Sequence, residues 1–332
     1  MVVMVVVIRL GRQQLLFALA VTGLWLQCCH GQSDWHTGPI IGVLAEEYGG
    51  EPWDGVPFIA ASYVKFVELG GARVVPVHIN RDQRYYTTLL DQLNGVLFPG
   101  GDADVHDSGY GRAGKVIFDY AVERNRRGDF FPLWGTCNGF EMLVYLSVDT
   151  SAVLTRCNST NQAVPLEFRN ASGSRLFGSM PADVKSYLST KNTTVNFHEW
   201  CLTPDSFAKS GVSRLYRAMS VNRDWNGLEY ISSIEAKHYP FYGVQFHPEK
   251  NAFEWSNQAS YNSIPHSAEA IRVTQYFAEF LVNEARKSKH KMSDQFFNAE
   301  SIYNYQPTFT QEKSYSTQIY FFGNRTRTIA VR

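Results

Sequence analysis

Hydrophobic residues follow two alternating patterns along the first half of the chain. Short apolar runs predict buried strands, and segments with apolar residues three or four positions apart predict helices. The two patterns alternate four times with short links, which is typical of the α/β class, with a mostly parallel central sheet and helices on both faces. The predicted strands span residues 39–44, 73–77, 95–98 and 130–134, and the predicted helices span residues 58–69, 85–93 and 113–127.

The second half of the chain has a weaker pattern. Residues 150–196 show little periodicity, and we interpret them as a surface-rich segment. Apolar runs at residues 231–234 and 241–246 predict two further strands, and residues 267–287 have the spacing of an amphipathic helix. Residues 318–322 are rich in β-forming side chains, so a short strand is expected near the C-terminus.

One cysteine lies at the bend between a predicted strand and a predicted helix. Cys137 follows the strand at 130–134, lies between Gly135 and Gly139, and precedes apolar residues at helical spacing. Strand, tight turn and helix with one reactive side chain at the bend form a nucleophile elbow. The helix N-terminus favours the thiolate, and the Asn138 amide can face a developing oxyanion. The alternative is a small buried structural cysteine.

A glycine pair follows the neighbouring predicted strand. Active sites of parallel sheets lie at the carboxyl ends of the strands, and both Gly100-Gly101 and Cys137 fall at such ends. The pair is either an ordinary turn or a loop that brings a second backbone N–H beside the sulfur.

A histidine and a glutamate end the strand predicted at 241–246. Thiolate attack on a carbonyl needs a base and a group that orients this base. His247 and Glu249 are two residues apart, so both side chains point the same way if the stretch is extended. Metal binding is the alternative, but no other His or Cys has a recognisable ligand spacing. The sequence contains neither a zinc pattern nor a phosphate-binding loop, so we predict no cofactor.

Charge and the N-terminus limit the partners and the compartment. The 332 residues carry 31 basic and 31 acidic side chains, so no net charge attracts nucleic acid or anionic lipid. Basic residues, an apolar run at 15–26 and a small-residue site form the order of a signal peptide over residues 1–31. A signal anchor that includes the apolar residues 2–8 is the alternative. Residues 32–332 are then a single α/β hydrolytic domain with a C-terminal extension.

Glycan acceptor patterns and cysteines agree with secretion. Three cysteines remain after the signal peptide, and an odd number in a secreted protein indicates one free thiol. If Cys137 is that thiol, Cys157 and Cys201 are able to pair, although their spacing does not show it. The pattern Asn-x-Ser/Thr occurs at Asn158, Asn170, Asn192 and Asn324.

Three motifs in a fixed order carry a family resemblance. Residues 99–101 (Pro-Gly-Gly), 135–139 (Gly-Thr-Cys-Asn-Gly) and 243–249 (Gly-Val-Gln-Phe-His-Pro-Glu) together resemble the class I glutamine amidotransferase fold. Residues 196–198 (Asn-Phe-His) and the extended motif at 242–250 are more closely similar to the γ-glutamyl hydrolase family.

The resemblance implies a role for each of several residues. It implies that Cys137 is a nucleophile that forms a thioester, that His247 is the acid/base group and that Glu249 orients it. It also implies that His198 binds substrate. The implied activity is hydrolysis of γ-glutamyl bonds in folate and antifolate polyglutamates, by a homodimer located in lysosomes or outside the cell.

Two positions depart from the family pattern. Asn138 stands where leucine is common, and Phe246 stands where tryptophan is common. Asn138 keeps its backbone N–H, so we place it with Gly100 and Gly101 on the substrate-binding side. The alternatives are a glutaminase that passes ammonia to a synthase, and a folate-binding relative without catalysis.

Overall fold

The computed structural model describes residues 38–169, 171–256, 258–310 and 313–323. The predicted signal peptide at residues 1–31, and the acceptor residues Asn170 and Asn324, lie outside the described residues. The strands, numbered in chain order, are β1 (Ile40–Leu44), β2 (Glu46–Glu47), β3 (Pro57–Ala60), β4 (Arg73–Val77), β5 (Val96–Phe98), β6 (Leu133–Thr136), β7 (Thr155–Val164), β8 (Glu167–Phe168), β9 (Thr194–Cys201), β10 (Tyr216–Arg223), β11 (Glu229–Ala236), β12 (Phe241–Val244), β13 (Thr308–Phe309) and β14 (Gln318–Phe321).

Polar capping residues set where several helices begin. Asp82 and Ser108 accept hydrogen bonds from backbone N–H groups of the first turn, so two helices begin earlier than the apolar spacing predicts. The helices are α1 (Ala61–Leu69), α2 (Gln83–Leu90), α3 (Gly109–Arg126), α4 (Asn138–Val148), α5 (Ala182–Thr190), α6 (Pro204–Lys209), α7 (Val212–Leu215), α8 (Lys250–Phe253), α9 (Ala268–Ala285) and α10 (Asp294–Glu300).

An eight-stranded sheet forms the centre of the fold, in the order β4-β1-β5-β6-β12-β11-β10-β8. The strands from β4 to β12 are parallel, and β11, β10 and β8 continue the sheet in antiparallel pairs. Helix α9 packs against α1 and α5, whereas α2, α3 and α4 pack successively on one another. The α/β class with a mostly parallel sheet is thereby confirmed. No helix in the described part of the chain combines the length and the apolar character that a membrane crossing requires.

Two predicted elements are placed differently in the structure. Residues 57–60 form strand β3 rather than the start of a helix, because β14 from the distant C-terminus pairs with them. Strand β6 begins at Leu133, three residues after the predicted start, so Pro132 lies outside the strand. Pro76 stays inside β4, which tolerates it because β4 is an edge strand of the sheet.

The segment predicted to be surface-rich is mostly exposed or partly exposed, and it also contains strand β7, which the sequence did not predict. Strands β7 and β9 pair antiparallel, and every second side chain along part of β7 is buried. The buried face includes the polar residues Ser159 and Gln162, which is why hydrophobicity alone gave no strand signal. A disulfide joins Cys157 of β7 to Cys201 of β9, and Cys137 is the free cysteine of the described residues.

Candidate active site

Cys137 lies at a strained bend between β6 and α4. Its φ of 52° is in the left-handed region that side chains other than glycine rarely adopt. The flanking glycines permit close packing: a Cβ on Gly135 would lie 2.3 Å from the Gly139 oxygen, and a Cβ on Gly139 would lie 2.1 Å from the Phe98 oxygen. The predicted elbow is therefore present, with its strain at the cysteine itself.

His247 and Glu249 form a buried pair beyond the end of β12. The His247 Nδ1 atom lies 2.7 Å from Glu249 Oε1, and both side chains are at most 5% exposed. The predicted extended conformation was wrong, because Glu249 has helical dihedral angles (φ −71°, ψ −29°) at the start of α8. A turn therefore brings the two side chains together, and it leaves Nε2 as the ring nitrogen available to a reacting group.

Gly100 lies next to both the Cys137 side chain and the His247 imidazole. A Cβ on Gly100 would lie 2.8 Å from the Cys137 Cβ atom and 2.9 Å from the His247 Cε1 atom. Any side chain at this position would block the space between nucleophile and base. The loop after β5 is therefore a wall of the site rather than an ordinary surface turn.

The backbone hydrogen bonds near Cys137 indicate which N–H groups are free to bind an oxyanion. The Gly100 N–H donates to the Tyr63 hydroxyl at 2.8 Å, so it is not available as an oxyanion donor. Within the described residues no acceptor bonds to the Gly101 N–H. The Asn138 N–H is the first of α4, where no intrahelical partner exists. These two N–H groups are therefore the candidate oxyanion donors near Cys137.

The loop that carries Gly101 contacts Glu46 on one side and Asn138 on the other. The buried Glu46 carboxyl packs directly against Gly101, where an added Cβ would lie 1.8 Å from Glu46 Oε2. On the other side, the Asn138 Nδ2 atom donates to the Ala103 carbonyl at 2.8 Å. A leucine at position 138 could not make this bond, so the polar side chain links the elbow helix directly to the glycine loop.

Burial keeps the reacting pair uncharged before substrate binds. Burial raises the pKa of the Cys137 thiol, and the nearby Glu141 and Asp102 carboxyls raise it further. Burial also lowers the pKa of His247, against the opposing effect of Glu249. The sequence-based expectation of a thiolate stabilised by the helix N-terminus was therefore wrong. A neutral imidazole beside a neutral thiol can act as a general base at the moment of attack.

Glu141, one turn into α4, carries a strongly shifted carboxyl. Burial raises its pKa to about 8, although a hydrogen bond from Gln245 Nε2 at 2.9 Å opposes the shift. The folded protein thus keeps a proton that the unfolded chain releases near pH 4.5. Stability from this group is fully present below the unfolded pKa and is lost as pH rises toward the folded pKa.

We expect Glu141→Gln to remove this pH dependence. Relative to the unchanged protein, the variant should gain roughly 2–4 kcal/mol in free energy of unfolding between pH 5 and pH 8. Urea denaturation of both proteins at the two pH values measures the difference. An equal difference at both pH values would show that Glu141 is already ionised in the folded state.

Two cavities meet at Cys137. The smaller, of about 80 Å³, is lined by Tyr63, His247 and Lys250, with Tyr315 and Ser316 from the C-terminal segment. The larger, of about 550 Å³, extends past α4 toward β7 and β9. Sequence reasoning missed Lys250, although it belongs to the motif at 242–250. It also missed Tyr63 and Tyr315, for which the sequence contains no signal because tertiary packing alone brings them to the site.

His198 lies in the wall of the larger cavity and is uncharged. Burial lowers its pKa to about 3. Its Nδ1 atom lies 3.0 Å from the Trp200 carbonyl and close to both sulfurs of the Cys157–Cys201 disulfide. The Nε2 atom is buried and has no partner among the described residues. With Nδ1 donating to the carbonyl, Nε2 is an acceptor for which the described residues supply no donor.

Comparison with known proteins yields one family. Residues 39–249 match the family model Peptidase C26. The γ-glutamyl hydrolase of Rattus norvegicus is 40% identical, over 86% of this chain and 90% of its own length. γ-Glutamyl hydrolase B of Dictyostelium discoideum is 38% identical, over 87% of this chain and 84% of its own length.

Among solved structures, the glutaminase domain of Trypanosoma brucei CTPS is similar, with a TM-score of 0.49 and 14% identity over 77% of this chain and 98% of that domain. The family assignment is based on the sequence matches, which cover the elbow, the glycine loop and the His247–Glu249 turn. The chain belongs to the peptidase C26 family of γ-glutamyl hydrolases.

Proposed function

We propose that this chain is a cysteine hydrolase that cleaves γ-glutamyl bonds, with poly-γ-glutamyl folates and antifolates as substrates. The observation that carries the proposal is the convergence of Cys137 and His247 around Gly100, with Glu249 bonded to the far side of the imidazole. Membership of the γ-glutamyl hydrolase family supports the choice of bond and of substrate.

The reaction begins when His247 Nε2 accepts the Cys137 thiol proton and the sulfur attacks the γ-carbonyl carbon. The carbonyl oxygen becomes an oxyanion, which the Gly101 and Asn138 N–H groups stabilise. As the C–N bond breaks, His247 returns the proton to the leaving amine, and a thioester remains on Cys137. Glu249 stabilises the imidazolium in this step.

Water then completes the cycle. His247 accepts a proton from the water molecule, whose oxygen attacks the thioester carbon, and the returning proton releases the Cys137 thiol. The products are a free γ-carboxylate and an amine, so the reaction consumes one water molecule and needs no cofactor. In this scheme His198 Nε2 binds substrate by accepting a hydrogen bond from an amide N–H in the larger cavity.

One assay separates hydrolysis from the two alternatives. The purified chain is incubated with folate pentaglutamate or with glutamine, and the products are separated by chromatography. Shortened folates without glutamate formation from glutamine support the proposal. Preferential release of ammonia from glutamine would indicate a glutaminase, and tight folate binding without turnover would indicate a binding protein.

The Asn138 side chain is expected to affect the rate and not the affinity. Asn138→Leu removes the bond to Ala103, so the Gly101 N–H is held less firmly where the oxyanion develops. We expect kcat to fall roughly 10-fold with little change in KM. Steady-state kinetics with folate pentaglutamate measure both constants, and an unchanged kcat would show that the loop keeps its position without this bond.

We propose that the mature protein is a glycosylated, secreted or lysosomal enzyme. Asn158 and Asn192 are exposed, and the Cys157–Cys201 disulfide is typical of an oxidising compartment. Mass spectrometry after glycosidase treatment should show Asn-to-Asp conversion at one or more acceptor sites and a chain that starts after residue 31. An unmodified chain that begins at Met1 would contradict this prediction.

The homodimer that the family resemblance implies remains a prediction, which light scattering can test.

A further inference from the structure

Lys250 is a buried cation beside the proposed nucleophile. The residue follows Glu249 at the start of α8 and is only 5% exposed. Its Nζ atom lies 5.6 Å from the ring centre of Phe197 and 5.8 Å from that of Tyr315. Lysine is almost never buried to this extent without an anionic partner, because removing the ammonium from water is costly.

In the described part of the protein, the Asp102 carboxyl lines the same cavity as Lys250 but does not form an ion pair with it. The ammonium forms no ion pair with a carboxylate there, and the nearest acid in the sequence, Glu249, is bonded to His247. Two aromatic faces stabilise a cation, but they do not replace a carboxylate. The side chain lines the small cavity that also contains Cys137 and His247. A buried positive charge therefore faces a cavity whose described lining contains one carboxyl, that of Asp102, with which the ammonium forms no ion pair.

The proposed reaction places an anion at this point. His247 protonates the leaving nitrogen, so the leaving group must lie on the His247 side of the scissile carbon. In a γ-glutamyl chain the leaving nitrogen is the α-amine of the next glutamate. The carbon bonded to that nitrogen carries the α-carboxylate. A cation next to His247 is thus within reach of the α-carboxylate that every polyglutamate leaving group carries beside its leaving nitrogen.

The larger cavity differs from the small one because neither lysine nor arginine is among the described residues that line it. Its walls contain the carboxylates of Asp104 and Glu199, together with Glu141, which burial keeps protonated, and Asp102, which lines both cavities. A string of glutamate carboxylates would meet like charges on that side. The acyl portion of the substrate, which carries the aromatic rings of the folate, therefore fits the larger cavity. The anionic leaving group fits the small cavity.

We propose that Lys250 binds the α-carboxylate of the leaving glutamate and thereby selects leaving amines with an adjacent carboxylate. The inference rests on the proposed function and assigns the substrate specificity of the same site. It also accounts for the small volume of the cavity, which matches the amine and carboxylate end of one residue and is too small for a folate ring system.

Two substrates that differ in one carboxylate test the proposal. One is pteroylglutamyl-γ-glutamate; in the other, the terminal glutamate is replaced by 4-aminobutyrate, which is glutamate without its α-carboxylate. The unchanged protein should cleave the first with a kcat/KM roughly 10- to 100-fold higher, the loss expected for one charge-assisted hydrogen bond. In Lys250→Met this preference should shrink toward one, whereas Lys250→Arg should keep part of it.

Lys185→Met is the matched control, because Lys185 is exposed on α5 and should leave the preference intact. Equal cleavage of the two substrates by the unchanged protein would overturn the assignment, whether or not Lys250→Met folds. A proportional loss for both substrates in a folded Lys250→Met protein would also overturn it, since that result indicates a structural role.

A binding measurement separates this inference from the proposed function. Calorimetry with free glutamate and free 4-aminobutyrate reports on the small cavity without turnover. We expect glutamate to bind the unchanged protein more tightly than 4-aminobutyrate does, and Lys250→Met to lose the difference. If neither substrate is cleaved but glutamate binding still depends on Lys250, the hydrolase function fails and the carboxylate site stands. Equal binding of both amino acids by the unchanged protein would count against the site.

Discussion

Cys137→Ala is expected to lower kcat for folate pentaglutamate by roughly 10⁵- to 10⁶-fold, as for a nucleophile removed from a catalytic triad. The thiol is the attacking group, and within the described residues no other cysteine is free. Alanine tolerates the bend no worse than cysteine does, because both have a Cβ atom at a φ of 52°. The variant should therefore fold and still bind substrate.

Two measurements check this expectation. Rapid-quench kinetics gives the residual rate, and calorimetry gives the affinity of the variant for the uncleaved pentaglutamate. The melting temperature serves as the control for folding. If a folded Cys137→Ala protein kept a kcat within 10-fold of the original, the covalent mechanism would have to be abandoned.

His247→Ala is expected to be nearly as damaging, whereas Glu249→Ala should be milder, with a loss on the order of 10⁴-fold. His247 transfers the proton in every step, so its loss removes both the base and the acid. Glu249 only orients and stabilises the imidazole through the 2.7 Å bond, and water can partly replace it.

The order of these two losses matters more than their absolute size. Both variants and the unchanged protein are compared at one saturating substrate concentration, after circular dichroism has confirmed folding. A larger loss in Glu249→Ala than in His247→Ala would mean that the two roles are assigned wrongly.

Local patterns in the sequence predicted most of the catalytic framework. The strand, turn and helix around Cys137 depend on residues adjacent in the chain, and so does the contact between His247 and Glu249. The predicted conformation of that contact was nevertheless wrong, because a side-chain spacing of two residues is compatible with a turn as well as with a strand. The sequence spacing predicted that His247 and Glu249 would be in contact, but it did not predict the backbone conformation that brings them together.

The remainder of the site depends on contacts between distant segments. Tyr63 from α1 and Tyr315 near β14 both line the small cavity, and β14 pairs with β3, the strand that leads into α1. The raised pKa of Cys137 likewise results from burial and from carboxyls brought in by other elements. A prediction based on the helix N-terminus alone could not include these effects, so it gave the wrong direction.

The measurement that tests the central claim most directly compares γ-linked and α-linked tetraglutamates, assayed side by side at lysosomal and at neutral pH. In the α-linked isomer the scissile carbonyl is attached to Cα, so it cannot lie over Cys137 while the α-carboxylate stays in place. A displacement of about 1 Å can cost roughly 100-fold in rate, and this isomer displaces the carbon further. We expect rapid cleavage of the γ-linked peptide, negligible cleavage of the α-linked one, and loss of the γ-linked activity in Cys137→Ala. Equal cleavage of the two peptides would identify a general cysteine peptidase instead.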